Sequence, residues 1–254
     1  MRYAETIQQA ILPDFNLNKN KLFETFVIYR PKDIVSGDFY WYAKHTNENN
    51  NEVHFFAVVD CTGHGVPGAF MSMIGNRLLN EIVNERRITV PSQVLELLNN
   101  EVRNALRQEQ TDNNDGMDLC MCKIEKRNGQ TKAVYSGAKR PLYILKSSSQ
   151  KLERLKGDRK SIGGISNKNL DIPFTDTETE LSKGDLIYMF SDGITDQNGP
   201  DRKRYGSKRL EKQIESFIDT NLKEQKELLE KDLDGFVQDE EQRDDISMIG
   251  IRIL

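Results

Sequence analysis

Four aspartates in this 254-residue chain stand where an apolar segment ends or begins. Asp60 ends HFFAVVD, Asp192 follows LIYMFS, Asp244 opens DDISMIGIRIL, and Asp38 precedes FYWY in SGDFY. An apolar strand running into aspartate and a turn delivers a carboxylate to the rim of a sheet. Glycine beside it lets the backbone close on whatever the carboxylate binds. Carboxylates gathered at one rim resist joint ionisation unless positive charge sits among them. Hard dications such as Mg²⁺ and Mn²⁺ take oxygen ligands. Two of them about 3.5–4 Å apart can activate a water and clamp a phosphoryl group without a nucleophilic side chain. Taken singly, each aspartate also reads as an ordinary turn residue, and spacing alone does not make the four converge.

Strands and helices must position these groups. Short apolar or alternating runs predict strands over 22–30, 39–44, 53–60, 117–125, 132–137, 141–146, 151–156, 171–181, 186–191 and 244–254. Helical periodicity appears over 3–12, stopped by Pro13, from near Pro67 through AFMSMIGNRLLNEIVNE, over 92–109, and over 207–218 and 221–236. HTNENNNE (45–52), TDNNDG (111–116), Asn128-Gly129 and KSSSQ (146–150) read as turns, and Ile162-Gly163-Gly164 as a loop approaching a ligand. The order is strands, two helices, strands, two helices, strand. That predicts an α+β fold of mainly antiparallel sheets with helices outside. The expected division is a lead-in helix over 1–15 and one domain over 16–254.

Composition narrows the classes. Charged residues make up 30% and the net charge is -4, with acids and bases mixed. No basic face of the kind nucleic acid requires is visible. KRNGQTK (126–132) and DRKRYGSKR (201–209) read as solvated loops. Three cysteines, an odd number, with no secretory signal argue against a disulfide framework. Cys120 and Cys122 alternate within an apolar run and read as core thiols rather than a metal site. No segment has the apolar length of a membrane-spanning helix. A cytoplasmic protein, or the cytoplasmic part of a larger membrane-linked one, is expected. No GxxxxGK[ST] loop is present, which disfavours a nucleoside triphosphate enzyme.

Six segments occur in one order from end to end: AETIQQAILP (4–13), RPKDIVSGDFYWY (30–42), FFAVVDCTGHGVPGAFMS (55–72), YSGAKRPLYIL (135–145), LSKGDLIYMFSDGITDQ (181–197) and RDDISMIGIRI (243–253). Together they resemble the SpoIIE-like bacterial branch of the metal-dependent serine/threonine protein phosphatase superfamily. The resemblance implies a four-layer αββα sandwich, two antiparallel sheets flanked by helix pairs. It implies phosphoserine or phosphothreonine hydrolysis by a water activated by two Mn²⁺ or Mg²⁺ ions. By the same resemblance Asp60 bridges both metals and the Cys61 carbonyl is a further ligand. Asp192 and Asp244 complete one shell, Asp38 serves the other metal, and Asp196 matches a third-metal position in some relatives. Asp245 stands beside Asp244, and alternation lets only one of the two face the metals.

Three further residues carry open readings. Arg30 or Lys32 would hold substrate phosphate, or make a surface salt bridge. His64 would be a general acid, or a loop histidine at the metal rim. The resemblance further implies an anti-sigma-factor antagonist (STAS-type) phosphoprotein as substrate. It also implies an upstream sensory or partner domain acting through the lead-in helix, with pairing to a second copy through that helix. The competing classes are a catalytically degenerate partner-binding module and a small-molecule phosphomonoesterase.

Overall fold

The side of each strand on which its apolar residues fall dictates the layers. The computed structural model describes residues 2–15, 22–47, 50–127, 129–164 and 172–254. Its elements run α1 (Arg2–Ile11), β1 (Phe23–Arg30), β2 (Asp38–Thr46), β3 (Glu52–Cys61), α2 (Gly65–Leu79), α3 (Pro91–Ala105), β4 (Gly116–Arg127), β5 (Gln130–Ala138), β6 (Leu142–Leu145), β7 (Leu152–Leu155), β8 (Ile162–Gly163), β9 (Thr177–Leu181), β10 (Leu186–Phe190), α4 (Gly193–Asp196), α5 (Ser207–Glu215), α6 (Leu222–Val237) and β11 (Ile246–Ile253). One sheet is ordered β1-β11-β10-β6-β7 and the other β2-β3-β4-β5-β9, with β8 on β4. All the strand pairs named are antiparallel.

Alternation sorts the core into three. In β3, Phe55, Ala57, Val59 and Cys61 face α2 and α3, where Val94, Leu95, Leu98 and Val102 meet them. Phe56 and Val58 face the other sheet, against Ile187, Met189, Ile249 and Ile251. The far side of that sheet, with Tyr188, Phe190 and Met248, packs on Leu210, Ile214, Leu229 and Leu233 of α5 and α6. Apolar residues on both faces of β3, β10 and β11 follow from this burial on two sides. The result is the expected αββα sandwich. The thiols of Cys120 and Cys122 lie in the inter-sheet core, as their spacing predicts.

Three expectations shift. The strand expected over 171–181 begins only at Thr177; Asp171 lies outside the described residues, as does Asn128 of the expected turn. Pro173 has no N–H to donate to a ladder. The segment is instead held from the side: Thr175 N donates to Asp158 (2.8 Å), and Asp176 accepts from Ser92 N (2.8 Å) at the start of α3. Ile162-Gly163, expected as loop, pairs with Gly116-Met117. Beyond Leu79, α2 widens into a π-helical turn over Asn80–Glu85. There Asn80 and Asn84 bond to the residue four before, and His45 of β2 bonds to Asn84.

The first helix is seated against the β1–β2 loop and α2. Gln8, 4% exposed, donates to Ser36 O (2.6 Å) and Ser72 Oγ (2.9 Å), and accepts from Ser36 N (2.9 Å). Leu12 packs against the α2–α3 core. Among the described residues no helix is long and apolar enough to cross a membrane.

Candidate active site

Register brings the first carboxylates together. Asp38 on β2 lies opposite Asp60 on β3, and Asp60 lies opposite Asp118 on β4. By parity with Phe56, Val58, Cys120 and Cys122, Asp60 and Asp118 face the inter-sheet side, at the end where the hydrophobic filling stops. From the other sheet Asp192 follows β10 and Asp244 precedes β11. Asp60, Asp118, Asp192 and Asp244 line one cavity of about 740 Å³, with Cys61, Thr62, Gly63, Lys139, Lys160 and Ser161 along its walls. Ile162-Gly163-Gly164, expected to approach a ligand, contributes both of its glycines to that wall.

Two carboxylates near the end of β11 divide their tasks. Asp245 is 2% exposed and turns inward, accepting from Lys32 N (2.8 Å) and Gly37 N (2.7 Å). It therefore fixes the β1–β2 loop that delivers Asp38. Asp244 faces the cavity. Its stretch is held by Gln197, which accepts from Arg243 N (2.9 Å) and donates to Glu241 O (3.0 Å). The glycine of the SDG turn is required here: a Cβ on Gly193 would stand 1.9 Å from Asp245 O.

The electrostatics are those of an under-compensated acidic site. Asp38 is 2% exposed and its Oδ2 has no hydrogen-bond partner. Burial, then the neighbouring charge of Asp60, holds its pKa well above the usual carboxylate range. Burial also raises Asp60 strongly; Arg140 opposes that rise and Asp192 adds to it. Asp244 is raised too, by burial first. The Cys61 thiol turns to the α2–α3 core, and burial followed by Asp38 and Asp60 drives its pKa far up. The thiol is thus no ligand, and only the carbonyl of Cys61 can serve the cavity.

The counter-charge comes from Arg140. Its Nη2 lies 2.6 Å from Asp192 Oδ2, 3.0 Å from Asp118 Oδ2 and 3.2 Å from Asp60 Oδ2. Burial works against the guanidinium charge, but Asp60, Asp192 and Asp118 outweigh it and raise its pKa. The carboxylates are spread around this cation. Among the described residues no three Asp, Glu, His or Cys side chains close into a cation-holding set as they stand. The donor chemistry nevertheless fits hard divalent cations: carboxylate oxygens with unmet charge, a buried orphan Asp38 oxygen, and a positive group already drawn among them.

Other predicted residues lie elsewhere. Arg30 forms ion pairs with Asp234 and Glu230 of α6 and does not line the cavity. It shares the face of β1 on which Phe26 and Ile28 pack toward α5 and α6, so the salt-bridge reading describes it. Asp196 is paired with Arg204 (3.1 Å) and is likewise outside the cavity lining. Lys32 and His64 meet at the rim: Lys32 Nζ is 3.1 Å from His64 Nε2, and Asp33 Oδ2 is 2.7 Å from His64 Nδ1. An ammonium only donates, so Nε2 accepts and the proton sits on Nδ1.

Asp118 and Arg140 are the site residues that sequence reading missed. Asp118 shares parity with Cys120 and Cys122, a usable signal, but it lies inside a strand rather than at its mouth. Arg140 precedes Pro141 in a crossover between sheets, where nothing local marks it as a site residue.

The family model of stage II sporulation protein E (SpoIIE) matches residues 50–254. The phosphoserine phosphatase RsbU of Bacillus subtilis (strain 168) is 27% identical over 259 residues, covering 98% of this chain and 68% of RsbU. Protein IcfG of Synechocystis sp. is 27% identical over 128 residues, 50% of this chain, and the match spans only 19% of IcfG. Among solved structures, the SiaA-PP2C domain of Pseudomonas aeruginosa superposes with a TM-score of 0.83 at 30% identity, covering 99% of this chain and 94% of that one. With its two-sheet architecture and its carboxylates at one inter-sheet rim, the chain belongs to the SpoIIE family and is a PP2C-type phosphatase domain.

Proposed function

We propose that this domain hydrolyses phosphoserine or phosphothreonine on a protein substrate, using two divalent cations, Mn²⁺ or Mg²⁺. Asp60, the Cys61 carbonyl, Asp192 and Asp244 would hold them, with Asp38 behind Asp60. The observation that carries this reading is the convergence of Asp60, Asp192 and Asp244, from two different sheets, on one cavity. When bound, such cations supply an acidified water and positive charge for the phosphoryl oxygens. The protein's own part is positional. Asp60 and Asp192 reach toward one another from opposite sheets, and Asp245 holds the loop that carries Asp38. Lys139 and Lys160 on the cavity wall favour an anionic substrate. Lys32 beside His64 keeps a cationic group at the rim, where it can meet phosphate. The resemblance to the SpoIIE-like branch supports a STAS-type phosphoprotein as substrate.

The test is phosphate release from a phosphoserine protein with Mn²⁺ or with chelator, for the parent and Asp192→Asn. Release should require the metal and fall by about 10²-fold or more in the variant. Equal release in chelator would overturn the metal reading. Turnover of small phosphomonoesters with none of phosphoprotein would favour the small-molecule alternative.

Residues 1–15 form, in the same proposal, a regulatory lead-in that communicates with an upstream domain or a second copy. Gln8 supports this, since it ties α1 at once to the β1–β2 loop and to α2. Tyr3 and Ile7 of α1 and Val66 and Phe70 of α2 remain exposed and offer an apolar face for such a partner. Gln8→Ala is expected to change metal-dependent turnover several-fold while leaving the fold intact by circular dichroism. Unchanged kinetics would remove the regulatory role.

A further inference from the structure

The crossover between β5 and β6 places one guanidinium inside the acidic rim, and its backbone is built to keep it there. Lys139, just before it, adopts a left-handed conformation with φ 57°. Pro141, just after, confines residue 140 to extended backbone. Arg140 O accepts from Tyr135 Oη at 2.5 Å. Gly137 and Gly157 crowd the same carbonyl: a Cβ on either would come within 2.4 Å and 3.0 Å of it. The side chain is only 17% exposed, and Nη2 touches Asp60, Asp118 and Asp192 together. Its Nε is buried without a partner. A surface salt bridge would show none of this confinement. The guanidinium charge occupies the position between carboxylates of the two sheets.

We infer that Arg140 is a tethered counter-ion that holds the rim carboxylates together before metal binding and competes with divalent cations for Asp60 and Asp192. This rests on the proposed metal-dependent reading of the same site. Cation binding is then an exchange. The carboxylate oxygens leave Nη2 for the metal, and the guanidinium, covalently fixed at the rim, moves aside toward solvent and toward an incoming anion. Asp60, Asp118 and Asp192 can thus be folded and poised without metal, because one positive charge is always present among them. The cost of that readiness is weaker apparent affinity for the cation.

The experiment is calorimetric titration of Mn²⁺ into the metal-free protein, with thermal midpoints measured in chelator and in saturating Mn²⁺. The parent is compared with Arg140→Met, which keeps most of the aliphatic stem, and Arg140→Lys, which keeps the charge but not the fork. Arg140→Met should bind Mn²⁺ about tenfold more tightly, the equivalent of about 1.4 kcal/mol. Its metal-free midpoint should fall, while its Mn²⁺-loaded midpoint should approach that of the loaded parent. Arg140→Lys should lie between, and it keeps the test decisive if the methionine variant does not fold. Unchanged or weaker Mn²⁺ binding in both variants, with binding intact in the parent, would overturn the counter-ion role alone. No Mn²⁺ binding by the parent would overturn the metal reading and this inference with it.

Discussion

Asp60→Asn should lower phosphate release from a phosphoserine protein by on the order of 10² to 10³. Its carboxylate stands at the centre of the register-matched pair with Asp38 and faces Asp192 from the opposite sheet. Asparagine keeps the shape but offers a single neutral acceptor where a dication needs charge. The structural consequence should run the other way. Burial and the nearness of Asp192 already disfavour the Asp60 carboxylate in the metal-free protein. Neutralising it relieves that repulsion at the expense of one contact to Arg140. The metal-free thermal midpoint should therefore hold or rise. What should vanish is the stabilisation by metal, which for the parent amounts to about 2.7 kcal/mol at free Mn²⁺ one hundred times Kd. Calorimetric scans with Mn²⁺ and with chelator, beside a phosphate-release assay, read both quantities. Parent-like turnover by the variant would remove Asp60 from the mechanism.

Gly68→Ala carries the second large effect, and here two known terms oppose each other. Within a helix, alanine is favoured over glycine by about 1 kcal/mol. At position 68, however, the added Cβ would stand 2.3 Å from Gly63 O and 2.8 Å from Gly37 Cα, both backbone atoms. Overpacking of this kind costs about 1–3 kcal/mol and sometimes more. Neither neighbour can rotate away as a side chain can, so the steric cost should stand at the upper end of that range, about 3 kcal/mol, and outweigh the propensity gain by about 2 kcal/mol. For a domain of this size that lowers the thermal midpoint by roughly 4–8 °C. Gly63 follows Asp60 and Cys61 in the turn that lines the cavity, and Gly37 precedes Asp38. Relief of the clash must shift one of them, so turnover should fall by about 10²-fold, as misplacement by about 1 Å can do. Gly235→Ala is the internal contrast. It also lies within a helix, α6, but a Cβ there meets nothing within 4 Å. Only the propensity term acts, and the midpoint should rise slightly. Equal behaviour of the two variants would show that the three-glycine contact is not what seats the turn.

Much of the architecture could be read from local pattern, because burial on one or both faces writes itself into periodicity. The continuous apolar run of β3 was legible for that reason, and so was the stripe Val94–Leu98–Val102 of α3. The mouth aspartates, Asp60, Asp192 and Asp244, were legible too, since an apolar run ending in a carboxylate is a local signal. Element ends were less so. The segment before β9 has a strand-like pattern but is captured by Asp158 and Ser92, partners distant in sequence.

What sequence alone determined is therefore most of the elements and the carboxylates carried at strand mouths, properties of residues near one another along the chain, while the four-layer order came from the family resemblance. Tertiary structure decided which charges meet. Asp118 joins the site only through its register with Asp60, and Asp245 turns from it to bind the amides of Lys32 and Gly37. Arg30, left open in the sequence between phosphate contact and salt bridge, is taken by Asp234, while Arg140 enters from the crossover between sheets. Coulomb attraction depends on distance in space. Residues 60, 118, 140 and 192 become neighbours only when both sheets are in place.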